Sequence, residues 1–171
     1  DMAITFQLVS GTNVIYNNYL TDPYTGSLNS EVQNTLTSVI GEANYDIGHL
    51  FSYSDPNDPL SDFTDGNNGN AGCIGCVCVD KQKGAAFCQH TFKDNDPRPH
   101  MSDYFDIDYV PHAVGHQIGA NHTFSHNSEG TGVNAEPGSG TTIMGYGIIQ
   151  ISNNKMSLIA MGSIELNKIE T

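Results

Sequence analysis

The sequence predicts one domain of mixed α/β class, and three observations predict it. The chain has 171 residues, within the roughly 100–200 residues of a single domain. Short runs rich in β-formers are interleaved with helical periodicities. Hydrophobic residues make up only 37 %, Trp is absent, and 18 glycines point to extensive loop. Charge narrows the partners. Six basic against 19 acidic side chains give a net charge of −13 and a pI near 4.5. That excess repels phosphate backbones and anionic lipid, which disfavours nucleic acid and membrane surfaces as partners. No apolar stretch approaches the ~18–20 residues of a membrane span. The acidity fits a salty or extracellular setting, and Asp-rich loops leave Ca²⁺ binding open.

In chain order, Ala3–Val9 is rich in β-formers with partial alternation and reads as a strand, ending at Ser10-Gly11-Thr12-Asn13. Val14-Ile15-Tyr16 reads as a short continuation. Ser30 has the character of a helix N-cap, with Glu31 in the first turn, Val32, Leu36 and Val39-Ile40 on one face, and Gly41 as the stop. Tyr45–Ser52 reads as a second strand. Residues 55–70 form a polar loop with Asp55, Asp58, Asp62 and Asp65 but without the spacing of a helix–loop–helix calcium site. Ala71–Val79 and Gly84–His90 read as two further strands. Met156, Leu158-Ile159, Met161, Ile164 and Ile169 give the period of a final amphipathic helix.

Cys73, Cys76, Cys78 and Cys88 fall within sixteen positions. Such a cluster suits either a structural Zn²⁺ or disulfides. Three cysteines crowded into Cys73-Ile-Gly-Cys76-Val-Cys78 leave little room for tetrahedral closure by all four. An even count in an acidic, Gly- and Asn-rich chain fits disulfides and an oxidising compartment better. The connectivity stays open among three possibilities.

The chemistry is concentrated in His112-Ala113-Val114-Gly115-His116-Gln117-Ile118-Gly119-Ala120-Asn121-His122. Residues four apart share one face of a helix, so His112 and His116 can turn two imidazoles toward one ion. Gly119 can end the helix in a left-handed turn, and His122 can then supply a third nitrogen. Three neutral imidazoles plus a water make an open Zn²⁺ site of catalytic type. His49, His90, His100 and His126 lack such spacing and read as surface or hydrogen-bonded histidines.

The segment resembles the extended zinc signature of the metzincin metallopeptidases, His-Glu-x-x-His-x-x-Gly-x-x-His. Thr141-Thr142-Ile143-Met144-Gly145-Tyr146 resembles their Met-turn, whose methionine lies beneath the three histidines. Asn44–Leu50, Gly75-Cys76-Val77-Cys78 with Lys83–Phe87, and Glu136-Pro137-Gly138-Ser139-Gly140 are similar to the corresponding stretches of reprolysins (adamalysins), the last to secreted bacterial ones. The resemblance implies a catalytic domain with a five-stranded mixed sheet, an active-site helix, a Met-turn and a C-terminal helix. It further implies an upper part at 1–122 and a lower part at 123–171, zinc on His112, His116 and His122, a protein or peptide substrate, and a secreted protein.

Several departures qualify it. Ala113 stands where the family has the Glu that takes a proton from the attacking water and passes it to the leaving amine. Zinc binding is untouched, so the chain as written reads as an inactive Glu-to-Ala variant, with a natural pseudoprotease that binds peptides or proteins as the alternative. Pro111 precedes the first histidine; a helix capped by Asp108 tolerates it in its first turn, and a longer one needs a kink. Thr123 replaces the Asp that snake-venom-type reprolysins carry after the last histidine. Tyr146 follows Met144 by two, as in astacins and serralysins, where the equivalent hydroxyl ligates zinc and stabilises the oxyanion; a packed Tyr is the plain alternative. Finally, the first strand and long first helix of the family are missing before Ala3–Val9, which implies a separate or cleaved N-terminal segment that does not leave Ala3–Val9 paired directly with Tyr45–Ser52. Asn121-His122-Thr123 is an N-glycosylation sequon beside the metal and is expected to be unmodified.

Overall fold

The computed structural model describes residues 4–11, 13–18, 20–53, 69–90, 105–125, 132–138 and 140–145. The chain divides into two compact units, residues 1–119 and 120–171.

The first unit is built on strand β3 (Ala86–His90). Strand β1 (His49–Tyr53) runs parallel to it, with His49 opposite Ala86 and Tyr53 opposite His90. The short β2 (Gly69–Asn70) pairs antiparallel on the other side, giving the order β1-β3-β2. Ala86, Phe87, Cys88 and Gln89 are all buried, as expected of a strand covered on both faces. Helices α1 (Leu28–Val39) and α2 (Val110–Gln117) both pack on β3.

Helix α1 begins two residues before the expected N-cap, with Ser27 in that place. The Glu31 carboxylate reaches back to the N–H groups of Thr25 and Gly26 and to the Thr25 hydroxyl, so the preceding turn is fixed by the first helical turn in the manner of a capping box. The Ser30 hydroxyl donates to the Ser27 carbonyl instead of capping. Gly41 stops the helix as expected, at φ 82°, with its N–H on the Leu36 carbonyl. Leu28, Val32 and Thr35 form the buried face, whereas Val39 is exposed. Buried Gln33 is satisfied throughout: its Oε1 accepts from Gly84 N–H, and its Nε2 donates to the Tyr45 hydroxyl, Thr37 Oγ1 and Glu42 Oε1. Helix and sheet approach closely at Gly48, where a Cβ would stand 2.2 Å from Leu36 Cδ1 and 2.8 Å from Gly84 Cα.

Three expected strands differ. Residues 4–9 and 14–16 form none, and Leu8 is 94 % exposed. β-formers make a strand only where a neighbour completes the ladder and covers one face, and no described strand does so here; β1 pairs with β3 instead. The strand from Tyr45 is shortened by a 3₁₀ turn at Glu42–Asn44 and starts at His49. Ala71–Val79 is a loop of turns. Gly72, Gly75 and Cys78 have positive φ, and Cys73 is disulfide-bonded to Cys76 with a Cα–Cα separation of 5.9 Å, where an extended strand would need about 10 Å over three residues. Cys78 and Cys88 are free thiols, so the even count yields one disulfide rather than two.

In the second unit, β4 (His122–Phe124) pairs with β5 (Gly132–Glu136) in an irregular register. The Thr123 N–H donates to the Met144 carbonyl and the Ser125 N–H to the Gly138 carbonyl, so the turn around Met144 is anchored on β4. Tyr146, His100, His126, the acidic loop up to residue 68 and the expected C-terminal helix lie outside the described residues, as do the side chain of His90 and the start of the first expected strand.

Candidate metal centre

A π-helical turn at Phe105–Tyr109 leads directly into α2, with Tyr109 rather than Asp108 at the N-cap and Pro111 in the first turn. Proline has no N–H to donate and its ring crowds the carbonyl four residues back, and a π turn precedes it in place of a regular α turn. Asp108 is buried in the π turn, and burial raises its carboxyl above the usual range.

His112 and His116 then fall on one face of α2, both buried. Their Nε2 atoms lie 3.1 Å apart with ring planes at 88°. The helix ends at once: Ile118 N–H donates to the Val114 carbonyl, Gly119 N–H to that of His116, and Gly119 takes φ 107°. His122, also buried, opens β4 with its ring stacked on buried Phe124 at 4.9 Å. One ligand nitrogen from each of His112, His116 and His122 lies within 4.8 Å of the others. Two imidazoles on one tetrahedral zinc, each at about 2.0–2.1 Å, stand roughly 3.3 Å apart, close to the separation on α2. The donor set therefore fits Zn²⁺. Among the described residues no other group of His, Cys, Asp or Glu side chains converges in this way.

Hydrogen bonds from residues 48–49 and from the disulfide loop hold the C-terminal end of α2. Gln117, fully buried, accepts from His49 Nδ1 with its oxygen and donates to the Gly48 carbonyl with its nitrogen. Burial lowers the His49 pKa, the largest effect, against the raising effect of Gln117, so the ring is a neutral donor at Nδ1. The disulfide loop closes the same end: Gly75 N–H donates to the His116 carbonyl and Val77 N–H to that of Gln117, satisfying carbonyls a helix C-terminus leaves open. Gly75 and Gly119 face each other closely, a Cβ on Gly75 lying 3.6 Å from Gly119 Cα.

Ala113 is buried against Cys88 and Phe105, with Tyr109 and Val110 packed on the same cluster. Burial pushes the Cys88 thiol up to about 12, so that neighbour is an uncharged, inert group. Met144 sits half-buried in the turn that follows Gly140. Two residues were not singled out from sequence: Gln117, whose position directly after a ligand turns it toward β1, and Glu136, noted there only as part of a resemblance.

A mixed α/β protein with three buried histidines converging, two on a helix and one on the strand after it, is a candidate metalloenzyme domain. The chain belongs to the metallo-peptidase family M12B, reprolysin-like, whose family model matches residues 1–169. No curated protein and no solved structure matches it. Among the described residues no helix is long and apolar enough to cross a membrane.

Proposed function

We propose that the chain is a secreted zinc-binding peptidase domain that holds Zn²⁺ on His112, His116 and His122 and engages protein or peptide substrates, but lacks the carboxylate needed to cleave them. The three converging imidazoles carry this reading. Bound zinc would polarise a peptide carbonyl and lower the pKa of water, the chemistry of internal peptide-bond hydrolysis. The chain's own residues divide the remaining work. Gly119 turns the backbone after the helix, Met144 supports the ligands, and the Tyr146 hydroxyl assists at the oxyanion. A methyl group at Ala113 can neither accept nor return a proton. A substrate in extended form adds as a strand at one edge of the described sheet, on the side of β2 and the Ala71–Cys76 segment that follows it. The Cys73–Cys76 disulfide supports an extracellular setting. On this reading residues 1–122 carry sheet and zinc helix, and 123–171 carry the Met-turn and a C-terminal helix, in the five-stranded family architecture.

A second reading, a natural binder that does not cleave, is favoured by one observation. Ala113 packs into an apolar cluster, where a carboxylate would lose hydration. Ala113→Glu separates the two. With the base restored, the zinc-loaded protein is expected to cleave casein and to stop on adding a chelator. A folded, zinc-loaded Ala113→Glu protein without cleavage contradicts the peptidase reading and leaves the binder.

A further inference from the structure

The second unit carries a carboxylate whose partners all lie outside its own strand. Glu136, at the end of β5, accepts hydrogen bonds from the Thr123 hydroxyl, the Thr142 hydroxyl at 2.7 Å, the Thr142 N–H at 3.2 Å and the Thr141 N–H at 3.3 Å, with the Thr141 hydroxyl at 3.5 Å. An ionised carboxylate offers about four acceptor sites, so these donors fill it. The donors come from two places only: the residue after His122, and the turn leading to Met144. Space for the carboxylate exists because Gly140 has no side chain; a Cβ there would stand 2.7 Å from Glu136 Oε2 and 3.3 Å from Thr123 Oγ1, at a φ of 72° that favours glycine.

Side chains alternate along a strand, so Thr123 points away from the face that His122 and Phe124 share. Thr123 is held twice, by its hydroxyl on Glu136 and by its N–H on the Met144 carbonyl at 3.2 Å. Fixing that residue fixes the rotation of β4 about its axis, and with it the direction of the His122 ring. We propose that Glu136 is the positioning residue of the third metal ligand, locking β4 and the Met144 turn together so that His122 presents its nitrogen to the ion. The sequence has Thr123 where snake-venom-type reprolysins carry Asp; here the negative charge at that turn comes from β5.

This inference rests on the zinc-site reading, and cobalt tests the two separately. The full chain is loaded with Co²⁺, whose visible absorption reports ligand number and geometry. The unmodified protein is expected to bind Co²⁺ with tetrahedral-type bands. Glu136→Ala is expected to bind about tenfold more weakly, in the range found for residues that orient metal ligands, with an altered spectrum. Glu136→Gln, which keeps one acceptor oxygen, is expected to fall between. Should Glu136→Ala fail to fold, Glu136→Gln decides alone. If both variants match the unmodified protein in cobalt affinity and spectrum, even at a lower melting temperature, Glu136 is only structural and the proposal is overturned. An unmodified chain that takes up no cobalt would remove the zinc-site reading as well.

Discussion

His49 donates from Nδ1 to the Gln117 oxygen, and its Nε2 is buried without a hydrogen-bond partner among the described residues. A second proton would place a charge and an unsatisfied N–H in that position, which is why burial holds the folded pKa below the ordinary 6.5. The unfolded chain therefore binds more protons in this range, and stability rises with pH. The contribution is fully present above about 6.5 and is lost as pH falls toward the lower folded value. Denaturant unfolding between pH 5 and 8 should show a steeper dependence for the unmodified protein than for His49→Asn; equal slopes would contradict it. From sequence His49 read as surface or hydrogen-bonded, and only the hydrogen bond could be placed. The partner lies 68 residues away, and no local pattern marks it. His112 and His116 were legible because helical spacing alone puts them on one face, and Gly119 because a left-handed turn favours glycine. Glu136 was not legible as a site residue: its donors sit five, six and thirteen positions away and converge only once the strand and turn have formed.

Among the elements, the Cys73–Cys76 loop shows how a covalent constraint overrides β-propensity. Val77 and Val79 favour a strand, yet the disulfide and the positive φ of Gly72 and Gly75 fold the segment back, and its N–H groups end on the carbonyls of His116 and Gln117 instead of a neighbouring strand. A disulfide closing so short a loop contributes about 2 kcal/mol by chain entropy. Replacing Cys73 and Cys76 together by Ser should lower unfolding stability by about that amount, whereas exposed Cys78→Ser should change it by less than about 0.5 kcal/mol. Urea unfolding measures both; an unchanged midpoint in the double variant would contradict the clamp. The first expected strand fails for a different reason. Ile4, Phe6 and Leu8 have the composition of a strand but no described ladder partner, and pairing is a property of two segments. Helix α1 was legible in period and C-cap, and its N-cap is displaced by three residues, from Ser30 to Ser27, because Glu31 binds backward to Thr25 and Gly26.

At the scale of the whole molecule, membership of the reprolysin-like M12B family and the convergence of three histidines make zinc the centre of the account. A ligand that binds only the folded chain stabilises it by mass action, about 4 kcal/mol when free zinc stands a thousandfold above its Kd. The net charge of −13 draws a cation toward the surface without selecting a place; three converging imidazoles supply the selection. On the proposed reading, Ala113 in place of the family's glutamate would leave that selection intact and would separate metal binding from peptide cleavage. The most direct measurement is elemental analysis of the purified chain with thermal unfolding before and after chelation, alongside His116→Ala. The account predicts one zinc per chain, a fall in melting temperature on chelation, and neither bound zinc nor a chelator response in His116→Ala. A chain that binds no zinc at micromolar metal, or that binds it equally well as His116→Ala, would contradict it.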